Sequence, residues 1–144
     1  MRSRNSEPSM RTIVLVLVSL ACAGCGEKTV ENLPKYPVSG TVLVNGKAVA
    51  GVAVMLSPGD TGPNARQAAG VTDADGNFEL MTLEPGDGAF PGEYTVTFKW
   101  LEPNEFPPRD RFDGTFADPG TSKHQVTVEK TDNVLETFQL QFGN

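Results

Sequence analysis

The stretch "GEYTVTFKW", residues 92–100, sets Tyr94, Val96, Phe98 and Trp100 against Thr95, Thr97 and Lys99 in strict alternation. Successive side chains of a strand point to opposite faces, so this pattern specifies a strand with one buried face and needs a second layer to cover it. The same period runs through "VSGTVLV" and "KAVAGVAVMLSP", where Val52, Val54 and Leu56 share a face. Between those two runs lies Asn45-Gly46, the pair that best tolerates the positive φ angles of a tight hairpin turn. "QAAGVTDADGNFELMTL" repeats the device, with Asp75-Gly76 at the turn and Phe78 and Leu80 inward. "HQVTVEK" and "LETFQLQF" follow, the latter aligning Phe138, Leu140 and Phe142. About seven short strands in hairpin-sized steps, with no helical period, predict an all-β fold: a seven-stranded antiparallel β-sandwich. Two sheets must meet, because each strand offers only one apolar face. Fifteen glycines and eleven prolines suit the turns such a fold requires.

The N-terminus follows a different rule. Arg2, Arg4 and Arg11 precede the apolar run "IVLVLVSLACA" from Ile13 to Ala23. A basic start, a short apolar middle and a small-residue exit describe a secretory signal peptide, and the run is roughly half of the ~20 residues that a permanent membrane helix needs. "MRTIVLVLV" is itself a complete opening of this kind, which leaves Met10 open as the start.

The exit, "CAGCG", places Ala23 and Gly24 directly before Cys25 and resembles the lipobox of bacterial lipoproteins. That resemblance implies cleavage between Gly24 and Cys25 and lipidation of Cys25, with Cys22 standing where the family usually has Leu. Cleavage after "ACA", releasing a soluble secreted protein, is the alternative. Cys22 and Cys25 have C-x-x-C spacing but no βαβ context, and a zinc site needs more ligands than one histidine, His124, can add. The expected organisation is a signal peptide over 1–24, a flexible tether over 25–36 and a β-sandwich domain over 37–144.

The chain carries a formal charge of −6, and the segment after residue 24 carries −8. That balance argues against nucleic acid as a partner and against a basic face for anionic membranes. The 120 residues that follow the leader suffice for one domain with its own core.

Three stretches resemble the carboxypeptidase regulatory-like domains: "VSGTVLVNGKAVAGVAVMLSP", "GVTDADGNFEL" and "PGEYTVTF". The downstream "RFDGTFADPGTSKHQVTVEKTDNVLETFQL" is similar to the end of small secreted lipoproteins of planctomycete-type bacteria. The resemblance covers roughly residues 37 to 142 and implies a transthyretin-like (prealbumin-type) sandwich. Its motifs are architectural, turn glycines and core aromatics, and it implies no peptidase activity.

"DADGN" presents Asp73, Asp75 and Asn77 in the opening pattern of a calcium loop, with Glu84 near the distance of a closing carboxylate. The strand-like "FELMTL" between them favours a plain turn in which Asp75 and Gly76 accept positive φ. The segment "LEPNEFPPRDRFDGTFADPGTS", residues 101–122, exceeds the ~12–15 residues of an ordinary connection. It interleaves Phe106, Phe112 and Phe116 with Arg109, Asp110, Arg111 and Asp113. Aromatics beside arginines suit a recognition surface, which makes Phe106, Arg109, Arg111 and Phe112 a candidate ligand-contact loop. The competing expectation is that the phenylalanines pin the loop over an open edge of the sandwich. Trp100, on the inward side of its strand, reads as core. Nothing assembles a nucleophile, base and orienting acid around His124, and no pair of carboxylates stands out for glycoside hydrolysis.

The expectation is therefore a non-catalytic, lipid-anchored lipoprotein outside the cytoplasm, a binding or structural module at the cell envelope on the periplasmic or outer-membrane face. It has no cofactor, a membrane contact through its anchor, and an envelope protein or glycan as partner. A carbohydrate-binding module is the alternative and a small hydrolase the third reading.

Overall fold

The computed structural model describes residues 33–62 and 65–143. The expected signal peptide, its cleavage point at Gly24 and Cys25, and most of the expected tether lie outside the described residues. Those described form nine strands and no helix. They are β1 (Val38–Val44), β2 (Lys47–Ala48), β3 (Val52–Pro58), β4 (Ala68–Val71), β5 (Asn77–Glu79), β6 (Gly92–Trp100), β7 (Gln125–Val128), β8 (Asn133–Val134) and β9 (Phe138–Leu140).

Two sheets result. In one, β1 pairs antiparallel with β2 and β5 and parallel with β8 and β9. In the other, the order is β4-β3-β6-β7, antiparallel throughout. Their inner faces share one core, with Val38, Val42, Val44, Phe78 and Leu140 on one side and Val52, Val54, Leu56, Val96 and Phe98 on the other. This all-β, two-sheet arrangement is consistent with a β-sandwich.

The alternation sorted most of the core, although Thr97, on the face set against it, is buried too and Trp100 only partly so. Strands β1 and β3 alternate buried and half-buried residues along their apolar runs, and Tyr94, Val96 and Phe98 are all buried. Gly40 sits on the inward side of β1 because Phe78 lies against it; a Cβ there would come within 2.7 Å of that ring.

Two expectations differ from the structure. The strand count is nine, because two-residue ladders at β2 and β8 carry no periodicity of their own. The first sheet is mixed, since the chain returns beside β1 in the same direction at Val42↔Phe138 and Val38↔Asn133. The Asp75-Gly76 turn does reverse the chain on itself, since Asp73 N–H donates to the Asn77 carbonyl and Ala69 and Met81 exchange two backbone hydrogen bonds, but β4 pairs along its length with β3 and β5 with β1.

The fold takes in the last two residues assigned to the tether. Tyr36 exchanges two backbone hydrogen bonds with Ala89, at 2.9 and 3.0 Å, and Lys35 forms an ion pair with Asp87 at 2.9 Å.

Candidate functional site

The 101–122 segment leaves β6 at Trp100 and doubles back at once. Leu101 bridges to Asp110, Glu102 N–H donates to the Arg109 carbonyl at 2.9 Å, and Arg111 N–H donates to the Trp100 carbonyl at 2.8 Å. Residues 103–108 therefore form a projecting tip, which contains a cis peptide bond at Phe106-Pro107. Phe106 at this tip is 100% exposed.

Asp110 fixes the base of the tip. Its Oδ1 accepts from Trp100 N–H (2.9 Å) and Phe112 N–H (3.0 Å), and its Oδ2 accepts from Gly114 N–H (3.2 Å). A short acidic side chain that captures nearby backbone donors organises a turn. This turn sends consecutive side chains to opposite destinations. Phe112 goes inward and is fully buried, 5.1 Å from Phe116, 5.5 Å from Phe142 and 5.8 Å from Trp100 by ring centroids. Arg111 goes outward, its guanidinium 4.7 Å from the Trp100 ring centroid and its Nε donating to Glu102 at 2.9 Å.

The candidate contact loop thus divides. Phe112 is withdrawn from it: a side chain with no exposed surface cannot meet a ligand, and its burial is the correction the structure makes to the sequence reading. Arg111 is engaged by Trp100 and Glu102. Phe106 and Arg109 remain at the surface, Arg109 in a loose pair with Asp113 at 3.4 Å. The second half of the segment packs back, with the Phe116 carbonyl accepting from Phe98 N–H and the Ser122 hydroxyl donating to the Val96 carbonyl. Trp100 is half-buried against the core, and its indole N–H donates to the Ala50 carbonyl at 3.2 Å. A side-chain hydrogen bond with Glu105, then Arg111, holds the Glu102 carboxyl below its usual range.

Two oxygens of the "DADGN" turn are taken up by hydrogen bonds within the fold. Asp73 Oδ1 accepts from Asp75 and Asn77 N–H at 2.9 and 3.0 Å, and Asn77 Oδ1 accepts from the Thr41 hydroxyl at 2.8 Å. Glu84 lies in a separate turn, where its N–H donates to Asp87 at 3.0 Å. Among the described residues, no group of three or more His, Cys, Asp or Glu is placed to hold a metal. His124 sits at the seam between the sheets, its ring edge-on to Phe98 and Phe138 at 5.4 and 5.6 Å.

Two features were missed by the sequence reading. The first is the clamp at Asp87, whose carboxylate accepts from Thr82, Leu83 and Glu84 N–H at 2.7 to 3.1 Å besides pairing with Lys35. The second is a groove of about 450 Å³ on the outer face of the second sheet, where Ala53, Met55, Ala69 and Val71 meet Met81 and Pro85. Its signal was present in outward-parity positions of β3 and β4 occupied by apolar side chains where polar ones are the rule.

No protein-family model matches the chain, and no curated protein matches it in sequence. Among solved structures it is similar to a 9R-lipoxygenase from Cyanothece PCC8801, with a TM-score of 0.41 and 16% identity. The superposition covers 76% of this chain and 17% of the lipoxygenase, and a likeness of that size carries no argument about fold or chemistry.

Proposed function

We propose that this chain is a lipoprotein anchored through Cys25 outside the cytoplasm, whose transthyretin-like, carboxypeptidase regulatory-like sandwich binds a protein partner and performs no chemistry. One observation carries the binding part: Phe106 stands fully exposed on a tip whose base is fixed by Asp110. A large apolar side chain held outward on a braced loop has already lost much of the freedom that binding would cost, which is how interface anchors gain affinity. The flanking Pro107 and Pro108 stiffen the tip further.

A flat aromatic platform for a glycan has less support. Trp100 is covered by Arg111 and Phe112 is internal, so the loop offers one exposed ring where a sugar platform would use two or three. The anchor rests on the "CAGCG" exit and the basic-apolar leader. The sandwich assignment draws support from the Asn45-Gly46 turn and from the inward Phe78 and Tyr94, at positions that carry the family resemblance.

Mass spectrometry of the mature N-terminal peptide tests the anchor: acyl chains on Cys25 are expected, and an unmodified N-terminus beyond "ACA" overturns it. Affinity capture from envelope extracts, with Phe106→Ala as the paired control, tests the binding tip. Partners retained equally by both proteins would exclude it.

A further inference from the structure

Strand β7 is the last strand of the second sheet, and its register with β6 shows which of its backbone groups are used. Val96 N–H donates to the His124 carbonyl at 2.8 Å, so in this antiparallel ladder His124, Val126 and Val128 turn their backbone groups toward β6. Gln125 and Thr127 turn their N–H and C=O the other way. Among the described residues, no backbone hydrogen bond joins β7 to β8 or β9 across the seam of the sandwich. A groove of about 540 Å³ runs along that free edge, with Gln125, Val126 and Thr127 on one wall and Leu135, Glu136 and Phe138 on the other. Unpaired donors and acceptors at strand spacing are complementary to one kind of occupant, another extended backbone.

At the start of β7 the groove shares Lys123 and His124 with a smaller pocket of about 240 Å³, walled by Thr115, Phe116 and Thr121. No carboxylate lines this pocket, and Lys123 makes no ion pair among the described residues. Glu136 lines the groove but not the pocket. Asp118, the acidic residue nearest to Lys123 in sequence, turns its Oδ1 to the Gly120 N–H at 2.8 Å. On an acidic chain this end of the seam therefore suits an anion. Direction supplies the last constraint. Because β7 runs from Gln125 to Val128, a strand added antiparallel to it brings its C-terminus to Lys123.

We propose that this seam holds the free C-terminal segment of a partner protein. The segment extends along Gln125 and Thr127 as an added antiparallel strand, and its terminal carboxylate enters the pocket of Lys123, His124 and Thr115. Strand addition supplies the main-chain bonds and the carboxylate fixes the register. Alternate side chains of the segment meet Val126, Leu135 and Phe138, which calls for apolar residues at every second position. The site is separate from the Phe106 tip and goes beyond the reading of that tip as a binding element.

The test pans short peptides of random sequence with a free C-terminus on the full chain. The selected peptides are then titrated by fluorescence anisotropy as free acids and as C-terminal amides. Amidation is expected to weaken binding about tenfold, and Lys123→Gln to weaken the free acid by as much while leaving the amide unchanged. Thr127→Pro is expected to abolish binding of both forms with the thermal melt unaltered, because the N–H it removes faces no strand of the sheet. Failure to select any peptide overturns the proposal. So does an amide that binds as well as the acid, a Lys123→Gln protein that loses both forms equally, or a Thr127→Pro protein that binds as wild type. None of these outcomes bears on capture through Phe106, which stands or falls by its own control.

Discussion

Arg111 covers one side of the Trp100 indole, its guanidinium carbon 4.7 Å from the ring centroid, while Phe112 approaches the same ring at 5.8 Å. Trp100 is the chain's single tryptophan, so its fluorescence reports this arrangement alone. Arg111→Ala is expected to red-shift the emission, raise quenching by acrylamide and cost about 0.5–1 kcal/mol, the range of an exposed cation–π contact. Arg111→Lys should restore part of the stability but not the shielding, because an ammonium lacks the planar face that stacks. Unchanged emission in both variants would mean that the ring is not covered in solution.

Asp87 sets an acid limit on the N-terminal clamp. Burial opposes its charge, but the Thr82, Glu84 and Leu83 N–H donors and the Lys35 ammonium outweigh that and lower its pKa to about 2. A carboxyl with a folded value below its unfolded value adds stability above the unfolded pKa of ~3.9 and loses it as pH falls through the folded one. The loss therefore falls between about pH 4 and pH 2. Asp87→Asn turns an amide donor toward backbone donors and is expected to cost about 1–2 kcal/mol at neutral pH. Urea melts at pH 6 and pH 2 should show wild type and variant converging at the lower pH. A constant gap between them would remove Asp87 from the acid response.

Gly88 and Gly114 share a positive φ of +78° but differ in surroundings. A Cβ on Gly88 would run into the backbone carbonyl of Tyr36, which is fixed by its ladder to Ala89, whereas one on Gly114 meets nothing within 4 Å. Gly114→Ala should cost only the conformational strain, about 1–2 kcal/mol. Gly88→Ala adds the collision and should cost about 3 kcal/mol or more. It should also speed hydrogen exchange at the Tyr36 amide as the clamp opens. Equal costs at the two sites would show that Tyr36 is not held there.

What the sequence made legible was whatever a few adjacent residues decide. Asn45 and Gly46 have φ of 51° and 77°, and their turn joins β1 to β2 at Val44↔Lys47, as the dipeptide requires. Asp75-Gly76 carries equally strong turn chemistry, yet a turn fixes a reversal and not a partner. There the reversal is kept by the Ala69↔Met81 bridge, but the longer ladders go elsewhere, Ala68–Val71 to β3 and Asn77–Glu79 to β1. The parallel pairs of β1 with β8 and β9 join segments about ninety residues apart and leave no local mark. In the loop, Phe106 and Phe112 each stand beside charged residues in sequence. What separates them is one carboxylate, Asp110, whose bonds to Trp100 and Phe112 N–H turn the second ring inward.

That separation gives a sharp contrast between two identical substitutions six residues apart. Phe112 is fully buried among three aromatic rings, so Phe112→Ala removes apolar contact and leaves a cavity, at an expected cost of about 3–5 kcal/mol. Phe106 is fully exposed, so Phe106→Ala should leave stability within about 0.5 kcal/mol of wild type while abolishing capture by the partner. Denaturant melts and envelope capture on the same two variants separate the roles. A Phe106→Ala protein as destabilised as Phe112→Ala would place Phe106 in the core and end its role as a binding anchor. A Phe112→Ala protein with wild-type stability would return Phe112 to the surface and to the candidate contact loop.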